Sequence, residues 1–183
     1  MNIYLIRHGQ DKDNAADILN GQRNEPLTEL GKQQAQNVAN KIVEKDYAID
    51  TIYSSPLLRA SQTADIIAKT LGHKNIIFDE ELVERDFGIL TGKSKSDNYK
   101  YCSSVVEVGK EVYGVGAKDA ETFSELLIRA DHILKKIKSD KKSNIIIVAH
   151  RDILQMVQAA HFGWSWEEGL KHPIDNANIT ELK

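Results

Sequence analysis

Short apolar runs alternate along this chain with longer segments in which apolar residues recur at helical spacing. The short runs are rich in branched and aromatic residues, which is typical of buried strands. The clearest of them, Ile145 to Ala149, ends at a histidine. The runs predict five strands, which lie within residues 3–10, 49–54, 75–78, 145–149 and about 178–182.

Four segments between these runs have the spacing of helices with one apolar face. Thr28 stands where an N-cap is expected before the first, and Gly72 stands where the second should end. The helices are predicted after Thr28, from Pro56 to Gly72, over 121–138 and from 152 to about 162. This alternation predicts an α/β fold, a three-layer sandwich with a mainly parallel central sheet flanked by helices.

Residues 93–118 interrupt the alternation, because their apolar positions follow neither spacing. The segment is rich in tyrosine, glycine and lysine, and we expect an irregular or partly helical lid. The preceding residues, 79–92, are expected to form an acidic loop. No internal repeat or linker is visible, so residues 1–183 are expected to form a single domain with a lid insertion at about 93–118.

Composition and charge narrow the classes of partner. The chain has 24 lysine and arginine residues against 27 aspartate and glutamate residues, so its net charge of -3 gives no basic footprint for nucleic acid. Its single cysteine, Cys102, excludes an internal disulfide framework and a cysteine-rich zinc site. No apolar run approaches the roughly 18 residues of a membrane span. We therefore expect a cytoplasmic protein without nucleic-acid or membrane partners, and its oligomeric state is left open.

Basic and nucleophilic side chains stand where three predicted strands end. Arg7, His8 and Gly9 follow the first strand. Arg59 lies in the first turn of the helix after the second strand, and His150 follows the fourth. In a parallel sheet these ends share one rim, outside which ligands bind. Two arginines and two histidines that meet there would suit a phosphate without a metal ion, and Gly9 would let the backbone turn tightly.

Each of these residues also has a purely structural interpretation. The two histidines could cap strand ends, and Arg59 could pair with Asp65 on the helix surface. A zinc site at the histidines would need a third ligand, and two arginines would repel a cation. The remaining histidines are interpreted as structural or solvated: His73, His132, His161 and His172.

Six motifs follow one another along nearly the whole chain. They are LIRHGQ at 5–10, GQRNEPLTELG at 21–31, SSPLLRASQTA at 54–64, LVERDFGILTGK at 82–93, ETFSELLIR at 121–129 and VAHRD at 148–152. Their order resembles the motif series of the histidine phosphatase superfamily, also called phosphoglycerate mutase-like. Six motifs in order are much more specific than any one of them.

The resemblance implies a role for each matching residue. His8 would be the phosphorylated nucleophile, and Glu84 would be the proton donor. A cationic phosphate pocket would be formed by Arg7, Arg59 and His150. Asn14 would contact the phosphate, and Gln22 and Arg85 would contact the substrate. No metal or other cofactor is implied.

Two positions depart from the family pattern. The family usually has threonine or serine three positions after the nucleophile and glycine after the second histidine, where this chain has Asp11 and Arg151. A carboxylate at 11 would repel phosphate unless it points away or pairs with Lys12 or Arg151. Arg151 also replaces a residue that tolerates unusual backbone angles.

The residues favour hydrolysis of a small phosphorylated metabolite. A neutral His8 would attack phosphorus, and Glu84 would first protonate the leaving alcohol and then activate water. Two alternatives remain. One is phosphoglycerate mutase-type transfer, since LVERDFGILTG is similar to the mutase form of that motif, although the short chain favours hydrolysis. The other is a non-catalytic phosphate-ligand binding module in which Asp11 and Arg151 mark a loss of catalysis.

Overall fold

The computed structural model describes residues 1–72, 75–140 and 142–183, and His73 lies outside them. Within these ranges the strands are β1 Asn2–Arg7, β2 Thr51–Ser54, β3 Ile76–Phe78, β4 Ser104–Val108, β5 Glu111–Val115, β6 Asn144–Ala149 and β7 Ile179–Leu182. The helices are α1 Lys12–Ala15, α2 Glu29–Glu44, α3 Leu58–Leu71, α4 Asn98–Tyr101, α5 Phe123–Ser139, α6 Arg151–Phe162 and α7 Trp166–Leu170.

Five strands form one sheet in the order β3, β2, β6, β1, β7. The first four run parallel, whereas β7 pairs antiparallel with β1 at the edge. β1 and β6 are direct neighbours, with Arg7 opposite Ala149. The predicted α/β fold with a mainly parallel central sheet is confirmed, and the last predicted strand lies at an edge of that sheet.

Helices cover both faces of this sheet. In β1, Tyr4 and Ile6 pack in the core shared with α2 and α3, whereas Ile3 and Leu5 pack in the core shared with α5 and α6. Because successive side chains of a strand point to opposite faces, a strand buried on both sides must be apolar at nearly every position. This is why the first and fourth predicted strands appear in the sequence as unbroken apolar runs.

The helix ends follow local chemistry. The hydroxyl of Thr28 accepts the amide of Gly31 at 3.0 Å, which confirms the predicted N-cap. Gly72 ends α3 at φ 71°, in the left-handed region that glycine tolerates. The predicted start of that helix at Pro56 is two residues early, because Ser55 Oγ accepts the amide of Leu57 and keeps this segment in a turn.

The segment 93–118 differs from its prediction. It does contain a short helix, α4, but its centre is the antiparallel hairpin of β4 and β5, not an irregular loop. Val108 pairs with Glu111 across a two-residue turn in which Gly109 has φ 60°. Valine-rich runs on either side of a Gly-Lys pair are typical of such a hairpin.

Smaller features complete the fold. The acidic loop at 79–92 contains two 3-10 turns, Glu80–Leu82 and Gly88–Leu90, and α7 was not predicted. Outside the site, His132 contacts Glu81 at 2.6 Å, while the rings of His161 and His172 pack against other aromatic rings. None of the helices that the structure describes is long and apolar enough to cross a membrane.

Candidate active site

The two predicted histidines meet at the carboxyl rim of the sheet. His8 follows β1, and its backbone amide donates to the carbonyl of Ala149 at 3.0 Å, which extends the pairing of β1 with β6 by one residue. The rings of His8 and His150 therefore lie side by side, with centroids 5.1 Å apart. Both side chains are buried, so neither is a solvated strand end.

The His8 ring is held with a defined proton arrangement. Nδ1 lies 2.7 Å from the carbonyl oxygen of Gly9, which can only accept, so Nδ1 carries the ring proton. Nε2 consequently has a free lone pair, and it accepts from Nε of Arg59 at 3.3 Å. Burial, and then Arg59 and Arg7, lower the pKa of His8 well below its usual value. The ring is neutral near pH 7, with Nε2 ready to act as a nucleophile.

Arg59 is fully buried and holds several parts of the site together. Its terminal nitrogens donate to the carbonyls of Arg23 at 2.6 Å and Gly21 at 2.7 Å. Its Nε also lies 3.3 Å from Oδ2 of Asp11. The structural alternative for Arg59, an ion pair with Asp65, is not formed among the described residues. This guanidinium both faces His8 and fixes the loop around residues 20–23.

Asp11 pairs with Asn20 and Arg59, which are not the partners expected from the sequence. It is completely buried, and its Oδ1 accepts the amide of Asn14 as the N-cap of α1. Its Oδ2 accepts from Asn20 at 3.0 Å and faces Arg59. Neither of the expected partners, Lys12 and Arg151, is used. The negative charge is therefore compensated by the arginine next to His8.

His150 precedes α6 as its N-cap residue and is fully buried. Its Nε2 lies 2.8 Å from Oγ of Ser55, while its Nδ1 has no hydrogen-bond partner among the described residues. Burial, and then Arg59 and His8, lower the pKa of His150 well below its usual value. The expectation of a cationic ring is thus wrong for the free protein, because the ring is buried and the cationic Arg59 and Arg7 already lie near it.

Glu84 comes to the same rim from the loop at 79–92. Its carboxylate accepts the amides of Asp152 at 3.4 Å and Ile153 at 3.3 Å, in the first turn of α6, and that of Arg85 at 2.9 Å. Burial, and then Asp152, raise the pKa of Glu84 to about 7. A carboxyl group that titrates near neutrality can both give and take a proton.

Arg85 is buried beside Glu84, but their side chains do not pair. The Arg85 guanidinium donates to Asp152 at 2.9 Å and lies over the ring of Phe123 at 4.2 Å. Arg85 lines the pocket, but its Nε already pairs with the carboxylate of Asp152. Any contact of Arg85 with a substrate must therefore use nitrogens other than this one.

The other predicted contact residues are placed differently from one another. Asn14 lines the pocket, and its Oδ1 lies 3.3 Å from Nδ2 of Asn176. Gln22 is exposed and donates to the carbonyl of Glu84 at 3.1 Å, so its side chain supports the Glu84 loop from outside. Asn176 itself donates to the carbonyl of His8 at 2.8 Å, a contact from a distant loop that no motif indicated.

Arg7 and Gly9 flank His8 in the first motif, and each has its own structural role. Arg7 is buried, and its Nε has no hydrogen-bond partner among the described residues. Burial, and then Arg151, lower the pKa of Arg7 to about 10, which leaves it charged near neutrality. Gly9 is needed for close approach rather than for a tight turn, because a Cβ there would overlap the carbonyl of Gly31 in α2.

Arg151 begins α6 with ordinary helical geometry, so the concern about its backbone does not apply. Its side chain lines the pocket and forms an ion pair with Glu111 in β5. Part of the pocket wall comes from the segment before and within the hairpin, including Asn98, Val112 and Tyr113. The segment expected to be a lid thus faces the candidate active site.

Comparison with known proteins decides the family. The sequence model of the histidine phosphatase superfamily, branch 1, matches residues 3–183. The chain belongs to this superfamily. The motif resemblance is thereby confirmed, and with it the expectation of an enzyme with phosphatase activity.

Individual relatives carry two kinds of name. A Hydrogenobacter thermophilus protein provisionally named phosphoserine phosphatase 2 is 32% identical, over 98% of this chain and 88% of its own. A 2,3-bisphosphoglycerate-dependent phosphoglycerate mutase of Bradyrhizobium diazoefficiens is 30% identical, over 84% and 77%. The crystal structure of a phosphoserine phosphatase of Entamoeba histolytica with 3-phosphoglyceric acid is 26% identical, with a TM-score of 0.80 over 98% and 89%. The histidine phosphatase fold therefore extends over almost the entire chain.

Proposed function

We propose that this protein is a phosphomonoesterase that hydrolyses a small phosphorylated metabolite through a phosphohistidine at His8, without a metal ion. The observation that carries the proposal is the orientation of the His8 ring. Its Nδ1 donates to the Gly9 carbonyl, which leaves Nε2 deprotonated in a pocket with two buried arginines. A nitrogen held in this way is an activated nucleophile at neutral pH.

The reaction has two balanced steps. In the first, Nε2 of His8 forms a bond to phosphorus while the bond from phosphorus to the ester oxygen breaks, and Glu84 gives its proton to the departing alkoxide. In the second, Glu84 takes a proton from water as the water oxygen attacks phosphorus and the nitrogen–phosphorus bond breaks. The raised pKa of Glu84, about 7, suits both roles.

Donors for the phosphoryl oxygens come from Arg7, Arg59 and His150. Arg7 Nε and His150 Nδ1 are buried without hydrogen-bond partners among the described residues, and a buried donor of this kind is costly unless a ligand satisfies it. Two guanidinium groups can balance the charge of the transferring group, which is the part a metal ion plays in other phosphatases. Asn14 lies near enough to add a further contact from the pocket wall.

A mutase remains the second candidate, because relatives about as similar as the phosphatases carry mutase names. The two reactions share the first step and differ in what accepts the phosphoryl group, water or a second substrate hydroxyl. We favour hydrolysis because the match to the relative named as a phosphatase covers 98% of this chain, whereas the match to the mutase covers 84%. A cytoplasmic location stays a prediction of the sequence.

The decisive experiment combines trapping with substitution. Protein quenched during turnover of a labelled alkyl phosphate should carry acid-labile, base-stable phosphate, and His8→Ala should abolish both the label and phosphate release. His132→Ala, which removes an exposed histidine, is the matched control. Turnover by His8→Ala within tenfold of the parent would refute the nucleophile assignment.

Two further measurements define the reaction. Adding an excess of acceptor, such as glycerate, separates hydrolysis from transfer, because a mutase would pass the label to the acceptor rather than release inorganic phosphate. Exhaustive chelation should leave the rate unchanged. Loss of activity that one divalent metal restores would contradict the metal-independent mechanism.

A further inference from the structure

Two opposite charges face each other at the wall of the pocket. Arg151 lies in the first turn of α6, directly after His150, and Glu111 begins β5 in the hairpin. They form an ion pair, and both side chains line the same pocket as His8 and Glu84. The side chains are 16% and 26% exposed, so the pair is largely shielded from bulk water.

The guanidinium of Arg151 is only partly used. Its Nε is buried and has no hydrogen-bond partner among the described residues. Two other cations that line the pocket are engaged elsewhere, Arg85 with Asp152 and Lys95 with Asp17. A guanidinium carries five donors in a rigid fork that matches a carboxylate or a phosphate. Arg151 can therefore bind an anion at the pocket wall.

Arg151 is close enough to the proposed phosphoryl site to affect the pKa values of its residues, although Arg151 is not one of the groups proposed to bind the phosphoryl oxygens. Arg151 is the second cause, after burial, of the lowered pKa of Arg7, and it also lowers the pKa of His8. Arg151 pairs with Glu111 of the hairpin, whereas His8 follows β1 at the rim of the sheet, and all three residues line one pocket. The leaving group of a phosphate ester bound at His8 would lie in this pocket together with Arg151.

We propose that Arg151 determines specificity by binding a second anionic group, a carboxylate or a phosphate, on the leaving-group part of the substrate. The inference rests on the proposed phosphomonoesterase function and names its substrate class. Glu111 occupies the guanidinium when no substrate is bound, and the anionic group of the substrate takes its place. A neutral leaving group cannot replace Glu111 at the guanidinium. Arg151 then stays paired with Glu111 and contributes nothing to the binding of such a substrate.

A matched pair of substrates tests the inference. 3-Phosphoglycerate and glycerol 1-phosphate differ chiefly by a carboxylate in place of a hydroxymethyl group. The ratio of their kcat/KM values should favour the acid in the parent, and Arg151→Gln should reduce that ratio by about 10- to 100-fold, the worth of charge-assisted hydrogen bonds. Propanediol bisphosphate against propanediol monophosphate asks the same question for a second phosphate.

Two other variants separate specificity from folding. Glu111→Gln removes the competitor while keeping its shape, so it should raise the ratio several-fold. Lys135→Gln, which removes a cation from an exposed ion pair on α5, should leave the ratio unchanged. An equal loss for both substrates in Arg151→Gln, or no preference for the acid in the parent, would overturn the inference.

Binding gives an answer that does not depend on turnover. Calorimetry with the His8→Ala protein, with and without Arg151→Gln, should reproduce the same ratio in the dissociation constants of the two compounds. If the parent hydrolyses none of the phosphates but binds the acid preferentially through Arg151, the proposed function fails and the inference stands. If it hydrolyses both without discrimination, the inference fails and the proposed function stands.

Discussion

The Oγ atom of Ser55 lies 2.8 Å from Nε2 of His150. Ser55 follows β2 and His150 follows β6, so this contact joins the ends of two strands and fixes the His150 ring. Ser55 Oγ also accepts the amide of Leu57 at 3.3 Å, which leaves its own proton free for Nε2. We infer that the ring proton of His150 then sits on Nδ1, the nitrogen without a partner among the described residues. A neutral histidine in this tautomer can still donate to a phosphoryl oxygen.

We predict that Ser55→Ala lowers kcat by about 3- to 10-fold. Without Ser55 the proton of His150 is shared between Nδ1 and Nε2, and a ring with the proton on Nε2 cannot donate to the phosphoryl group from Nδ1. The free energy of unfolding should also fall by about 1–3 kcal/mol, since Nε2 of His150 loses its buried partner. Nitrogen NMR of His150 measures the tautomer directly. Ser54→Ala is the matched control, because the buried hydroxyl of Ser54 donates to the Ser55 carbonyl and contacts no histidine among the described residues. An unchanged NMR signature in Ser55→Ala would contradict the inference.

We predict that Glu84→Gln slows the hydrolysis of an alkyl phosphate by about two to four orders of magnitude. An alkoxide leaves poorly without a proton, whereas a nitrophenolate does not need one, so phosphorylation by an aryl phosphate should survive much better. Burst kinetics must be recorded, because they separate the first step from the second step, which Glu84→Gln also slows. Glu81→Gln, three residues earlier and in contact with His132, is the control. Equal losses in the phosphorylation step for both substrates would show that Glu84 positions rather than protonates.

Glu84 should also make stability depend on pH. Burial and Asp152 raise the pKa of Glu84 from 4.5 to about 7, so the folded protein binds this proton more tightly than the unfolded chain does. The contribution of this proton is complete below pH 4.5 and is lost as the pH rises to about 7, at up to about 1.4 kcal/mol per pH unit.

Urea unfolding of the parent and of Glu84→Gln at pH 5 and pH 8 measures the contribution of the Glu84 proton to the free energy of unfolding. From pH 5 to pH 8 the free energy of unfolding should fall more in the parent than in Glu84→Gln, because glutamine does not titrate. A difference between the two proteins that stays constant with pH would mean that Glu84 ionises normally.

We predict that Asp11→Ser increases the affinity for inorganic phosphate by about 3- to 10-fold, because a buried negative charge beside Arg59 is removed. Serine can still cap α1, but Asn20 loses its acceptor, which should cost about 1–3 kcal/mol of stability. Competitive inhibition by phosphate measures the first effect. Asp65→Ser, on the exposed side of α3, should change neither quantity. Weaker phosphate binding in Asp11→Ser would show that Asp11 orients Arg59 for the ligand.

The parts of the site that could be predicted from sequence are those set by local patterns. Buried apolar runs locate β1 and β6, and the rule that parallel strands end on one rim then places His8 beside His150. The hairpin has no such periodic pattern, and its signal in the sequence is a valine-rich run on either side of Gly109 and Lys110. That signal was present in the sequence.

Other parts of the site have no local signal. Asp11 meets Arg59 only because α3 packs against the loop after β1, and no rule of spacing pairs residues that far apart. The neutral state of His150 depends on complete burial next to Arg59, which a sequence pattern cannot measure. The role of Glu84 at the start of α6 likewise requires the loop at 79–92 to fold back onto that helix.

The position of β1 in the sheet affects how the chain can fold during synthesis. β1 pairs with β6 and β7, and Asn2 lies opposite Asn144. At typical translation rates, roughly 7 to 30 s pass before the ribosome has made the partners of this apolar strand. The nascent chain therefore exposes an unpaired, aggregation-prone segment for that time, and we expect chaperone binding to the first residues until β6 emerges.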